Sequence, residues 1–260
     1  MRRAGINPPR RVVLIVIVLI VASAGPAWAR SSRFETGYQA SRDSFRTIHA
    51  SWIVPSISCP GTDSAGYDGS ARFGVGLGPT FARSEQVVTK AFCTGIVASY
   101  VAYLEVGGVQ AEGTAAGVPL RSGDRVSASV SYLGGFALRS GSSTYRVGRY
   151  RLAFADRTAH RSLAVSDSLD CLRHPCDRST AEVTAGLPFA GYSALADYRT
   201  VTFATVGITD AAGRRGSLAP NRRWRVSKLV EHHGASRNPS AVASGLTRAG
   251  TRFVALWRAF

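Results

Sequence analysis

Residues 84–106 read SEQVVTKAFCTGIVASYVAYLEV, and the fold is decided by how this stretch alternates. From Val97 onward, Tyr100, Ala102, Leu104 and Val106 fall on one side of an extended chain. Ser99, Val101, Tyr103 and Glu105 fall on the other. A period of two is the mark of a half-buried strand. Ahead of it, Gln86 heads a second strand-like run that carries Lys90 and ends near Cys93.

The same short, interrupted alternation recurs along the chain. Strands are predicted at 37–40, at 48–54 (ended by Pro55), at 73–77, at 126–132 (closed by Gly134-Gly135) and at 145–154. Further strands are predicted at 179–185, 200–208, 224–230 and 252–257. Ser122-Gly123-Asp124 and Asp210-Ala211-Ala212-Gly213 read as turns, 59–70 as a Gly/Asp/Ser loop and 238–245 as a late loop. Helical periodicity is almost absent. Many short strands with frequent turn signals predict an all-β, antiparallel sandwich or barrel. No linker divides the chain, so residues 30–260 are expected to form one domain.

Residues 1–29 have the build of a signal peptide. Arg2, Arg3, Arg10 and Arg11 precede the apolar run VVLIVIVLIVASA, and Ala27-Trp28-Ala29 is a small-x-small cleavage site. The run is short for a membrane span, which needs about 20 apolar residues. The expectation is a secreted protein without stable membrane association after cleavage; a retained N-terminal anchor is the second reading.

The 260 residues carry 32 Lys plus Arg against 16 Asp plus Glu, a formal charge of +16. The excess is spread along the chain, not gathered into a basic stripe with interleaved aromatics, so nucleic acid is not an expected partner. Four cysteines in an exported chain suggest two disulfides. Cys171 and Cys176 are close enough to pair around His174-Pro175, and Cys59 would then join Cys93. Zinc is the weaker alternative, because CLRHPC lacks the usual ligand spacing; no metal or cofactor is expected.

Familiar nucleophilic frames are missing. The sequence has no G-x-S-x-G elbow and no HEXXH, and His49, His160, His174, His232 and His233 fall in no recognisable triad frame. With every cysteine given to a disulfide, a thiol nucleophile is not expected either. What remains is carboxylate chemistry. Most acids fall in turns or loops, but Glu105 and Glu182 lie inside strand-like runs. Such an acid can face solvent, pair with an arginine or do chemistry.

Several segments, in order, carry a resemblance that favours chemistry. They are TGYQA (36–40) with IHASWIVPS (48–56), GVGLG (74–78), the Gln86 run with YVAYLE (100–105), STAEV (179–183), LADYRTVTFATVGITDAAGRRGSL (195–218) and RFVALW (252–257). Together the chain resembles the glutamic peptidases, or eqolisins, over almost all of residues 30–260. The resemblance implies a sandwich of two antiparallel sheets with a groove on one concave face, and Gln86 and Glu182 on adjacent strands. It also implies a monomeric endopeptidase acting on unfolded protein or peptide at acid pH.

In that family's terms Glu182 is the general base on a water and Gln86 the oxyanion donor. Glu105, Tyr103 and Lys90 are expected to support the pair. Three departures stand out. The family's Trp falls at Gly74, the acid expected four residues after the glutamine is Lys90, and the Trp after A-E is Val183. Lys90 is expected to lower the pKa of Glu182. These departures also motivate the alternative of an impaired sandwich that binds cell-wall glycan or peptide.

Overall fold

The computed structural model of the chain describes residues 28–32, 35–59, 69–78, 85–107, 109–110, 117–141, 143–170, 176, 178–187, 195–219, 221–232 and 240–258. Among them there is no helix. The strands are β1 (Trp28–Ser32), β2 (Glu35–Ser41), β3 (Phe45–Ile53), β4 (Ser70–Leu77), β5 (Glu85–Thr94) and β6 (Val97–Val106). Next come β7 (Val109–Gln110), β8 (Val118–Leu120), β9 (Arg125–Ser140), β10 (Ser143–Asp156) and β11 (Arg161–Asp170). The chain closes with β12 (Thr180–Gly186), β13 (Thr200–Asp210), β14 (Arg215–Gly216), β15 (Arg225–Glu231), β16 (Ala241–Ala243) and β17 (Phe253–Trp257).

These strands form one hydrogen-bonded network that doubles over. One half runs β6, β5, β4, β12, β2, β15, with β7 and β8 on the free edge of β6. The other runs β17, β13, β3, β9, β10, β11. The short β16 pairs with both β15 and β17 and links the halves. Among the described strands the pairings are antiparallel apart from β1 along β15, which is parallel. A cut after Ala29 would remove the first two residues of β1 and spare Arg30, whose Nη1 donates to Gln39 Oε1 at 3.2 Å.

Between the halves lies the apolar core, built from the inward residues of both. Trp52 of β3 packs on Phe203 of β13, with ring centroids 5.7 Å apart, and its Nε1 crosses to donate to Thr89 Oγ1 of β5 at 3.0 Å. A buried indole N–H needs such a partner. Phe73 of β4 meets Tyr198 edge-on at 5.1 Å, and Tyr38 of β2 meets Phe253 of β17 at 5.0 Å. In β5 this assigns Val87, Thr89, Ala91 and Cys93 to the core and leaves Gln86, Val88 and Lys90 on the opposite face.

Cys59 and Cys93 form the expected disulfide across 34 residues of chain. Closing a loop of that length is worth about 3–4 kcal/mol in the chain-entropy account. Cys176 is also disulfide-bonded, while Cys171 lies outside the described residues, as do His174, His233 and residues 1–27.

Three strand expectations change. Gly134-Gly135 does not end β9, which continues to Ser140 because a bulge at Leu133 absorbs the irregularity: Tyr132 pairs with Tyr150, and Gly134 with Arg149. The predicted late loop contains β16. The 161–170 run, not predicted as a strand, is a full one, with Leu163 and Val165 half-buried between exposed neighbours and ten cross-strand partners on β10.

Candidate active site

The face of β4, β5, β6, β12, β2 and β15 that turns away from the core carries the candidate residues in one transverse row. Strand register alone lines them up: Glu105 opposite Gln86, Gln86 opposite Gly76, Gly76 opposite Glu182, Glu182 opposite Gln39, and Gln39 opposite Ser227. Gln86 and Glu182 are therefore not on adjacent strands, as expected, but on β5 and β12 with β4 between them. Two strand spacings set their backbones about 10 Å apart.

Gly76 makes that gap usable. A Cβ there would sit 3.3 Å from Glu182 Oε1 and 3.5 Å from Glu182 Cγ, so the glutamate leans across the glycine toward Gln86. The other carboxylate oxygen, Oε2, accepts from Gln39 Nε2 at 3.3 Å.

The amide of Gln86 is held at both ends. Its Oε1 accepts from Arg72 Nη1 at 2.5 Å, and its Nε2 donates to Glu105 Oε2 at 2.6 Å. A flipped amide would set N–H against guanidinium and carbonyl oxygen against carboxylate, so the two ions fix its orientation. Lys90 Nζ pairs with Glu105 Oε1 at 2.5 Å and lies 4.7 Å from the centroid of the Tyr103 ring. Thus Glu105, Tyr103 and Lys90 do cluster beside Gln86. The partner of Glu105 is a lysine, and Lys90 answers Glu105, not Glu182.

Arg72 is the residue that sequence reading missed. It is a charged residue in the middle of the buried strand SARFGVGL, and it donates through Nη2 to Glu35 Oε1 at the start of β2. Its only mark in the sequence is that an arginine inside an apolar run requires a buried partner. Gly74, where the family's tryptophan was placed, has no room for any side chain: a Cβ would lie 2.5 Å from Val87 O. Arg72 stands two residues away on the same face.

The electrostatics also differ from expectation. Glu182 is pushed up to about 8, first by burial and then by the charge of Glu35; Arg72 and the Gln39 hydrogen bond pull the other way. Lys90 has no part in this balance. Glu231, placed by alternation on the same face of β15, is likewise pushed up to about 8, by burial and by Glu35. Neither of its carboxylate oxygens has a hydrogen-bond partner among the described residues. Gln86 and Glu182 are each only 2% exposed.

No protein-family model matches the chain, and no curated protein sequence matches it. Solved structures do. Scytalido-glutamic peptidase, crystallised with a peptide-based transition state analog, aligns over 87% of this chain and 99% of its own, with 15% identity and a TM-score of 0.57. SCP-B, a member of the eqolisin family solved with the tripeptide Ala-Ile-His, aligns over the same shares with 16% identity and a TM-score of 0.53. The fold is that of the glutamic peptidases, as the motifs in the sequence led us to expect. At these identities the likeness establishes the fold and leaves activity to be argued from the site.

Proposed function

We propose that the chain is a glutamic-type endopeptidase, exported by residues 1–29 and acting as a monomer on unfolded protein or peptide. The observation that carries this reading is the Gln86–Gly76–Glu182 row. It sets an orientation-locked amide and a carboxyl side by side over a residue with no side chain.

In the proposed reaction ionised Glu182 takes a proton from a water molecule held over Gly76. The water oxygen adds to the peptide carbonyl carbon. The carbonyl oxygen becomes an oxyanion and accepts a hydrogen bond from Nε2 of Gln86, which carries two hydrogens and gives one to Glu105. Glu182 then returns its proton to the leaving nitrogen, and the C–N bond breaks. No covalent enzyme intermediate forms.

Acid-pH action, implied by the resemblance, needs Glu182 ionised in acid. Burial and Glu35 hold it near 8 instead, so the proposed working range is neutral to mildly alkaline. Incubating the protein with a denatured protein from about pH 4 to 9, a span that brackets the ordinary and the raised carboxylate values, and sequencing the products by mass spectrometry tests the reading. New internal termini support it. Their absence at every pH sinks it and favours a sandwich that binds without turnover.

A further inference from the structure

Beyond the site, the far end of the β9–β10 hairpin leaves large apolar side chains in water. Leu133, Phe136 and Leu138 are 42%, 45% and 51% exposed. Register puts Phe136 opposite Val147 and Leu138 opposite Tyr145, so these four share one face, and Leu133 sits at the adjoining bulge. Along β10 the same face continues to the exposed Arg149 and Arg151. From Val147 to Arg149 is two residues, about 7 Å of strand. Beyond Arg151 the face opens into a cavity of about 750 Å³ lined by Arg151, Arg157, His49 and the hydroxyls of Ser127, Ser129 and Ser162. The opposite face of the hairpin end carries Arg139 and Arg146, both exposed.

We propose that this face docks on an anionic lipid membrane, with Phe136, Leu138 and Tyr145 entering the acyl boundary and Arg149 and Arg151 meeting the headgroup phosphates. Leu133, Phe136 and Leu138 lie within six positions of one hairpin, beside the buried Val147 and half-buried Tyr145, and such a cluster of exposed large apolar residues marks an interaction site. A second copy of this chain fits poorly, since a shared two-fold face would oppose arginine to arginine in a chain of formal charge +16. An anionic surface complements both the apolar and the basic parts. The contact is reversible and salt-sensitive, unlike a membrane anchor.

The test is hydrogen–deuterium exchange on the full chain with vesicles of phosphatidylcholine alone, or with about 30% phosphatidylglycerol. Segment-resolved exchange separates this hairpin from the apolar run at 12–24. Exchange over 133–147 is expected to slow several-fold with the anionic vesicles only. The effect should vanish in about 0.5 M salt, where the Debye length falls below 5 Å, and persist in millimolar inorganic phosphate. Phe136→Ser with Leu138→Ser should abolish it, and so should Arg149→Ser with Arg151→Ser. Equal protection on neutral vesicles, protection confined to residues before Arg30, or protection without vesicles that grows with protein concentration would each overturn the proposal.

Discussion

Arg72 Nη1 donates to Gln86 Oε1 at 2.5 Å, and this one hydrogen bond ties the orientation of the candidate oxyanion donor to a buried ion pair 37 residues wide in sequence. Arg72→Met is expected to act twice. It leaves Glu35 buried without its cation, which costs about 3–5 kcal/mol of stability. It also leaves the amide held at one end only, by Glu105, so its aim loosens and kcat falls while KM changes little. Adding Glu35→Gln should restore much of the stability and none of the kcat. Denaturant melts and steady-state kinetics on the single and double variants check this; kcat recovered along with stability would reduce Arg72 to a structural role.

Gly76 should tolerate no side chain for functional reasons. In Gly76→Ala the new methyl lies 3.3 Å from Glu182 Oε1, in the space assigned to water and substrate carbonyl. We expect stability to stay within about 1 kcal/mol of the parent and kcat/KM to fall at least tenfold, which is about 1.4 kcal/mol of barrier. Unchanged turnover would move the reacting atoms elsewhere.

The pH dependence follows from the charges around Glu182. Its base form grows as pH rises toward about 8, so the rate should climb between pH 6 and 8. Glu35 raises this carboxyl, so Glu35→Gln should shift the climb to lower pH. Initial rates across the range decide it; a parent profile already flat above the ordinary carboxylate value of about 4.3 would contradict it.

Stability should run the other way. Glu182 and Glu231 are held protonated in the fold well above their unfolded values, so the folded protein binds more protons than the unfolded chain between about pH 4.5 and 8. Their stabilisation is complete below the unfolded value and is lost as pH rises through the folded one, at up to about 1.4 kcal/mol per pH unit for each group. Tm should therefore fall from pH 5 to 8. Glu231→Gln, which cannot ionise, should flatten the fall. A Tm that rises over this span would refute the assignment.

Much of this was legible before any coordinates, and the reason is local. The alternation from Val97 to Val106 marks β6 to the residue, and Thr200–Ile208 lies within β13. Gln86, Glu105 and Glu182 came from motif order and do fall in one row. What escaped depends on contacts far apart in sequence. Strand order cannot be read from alternation, so β4 between Gln86 and Glu182 was missed. Arg72 depends on Glu35, which lies in a segment with no signal of its own. Lys90 was expected to act on Glu182, which lies two strands away, but Glu105 on the adjacent strand is the acid within its reach. The raised Glu182 reflects burial, a property of the assembled sheet.

The central claim is that Gln86 and Glu182 together cleave peptide bonds. The most direct measurement is the rate at which the parent, Gln86→Ala and Glu182→Gln cut one denatured protein at about pH 8, the value near which Glu182 titrates, with folding of each variant verified by circular dichroism. The account predicts cleavage by the parent and a loss of about a hundredfold or more in each folded variant. Cleavage that survives both substitutions would contradict it.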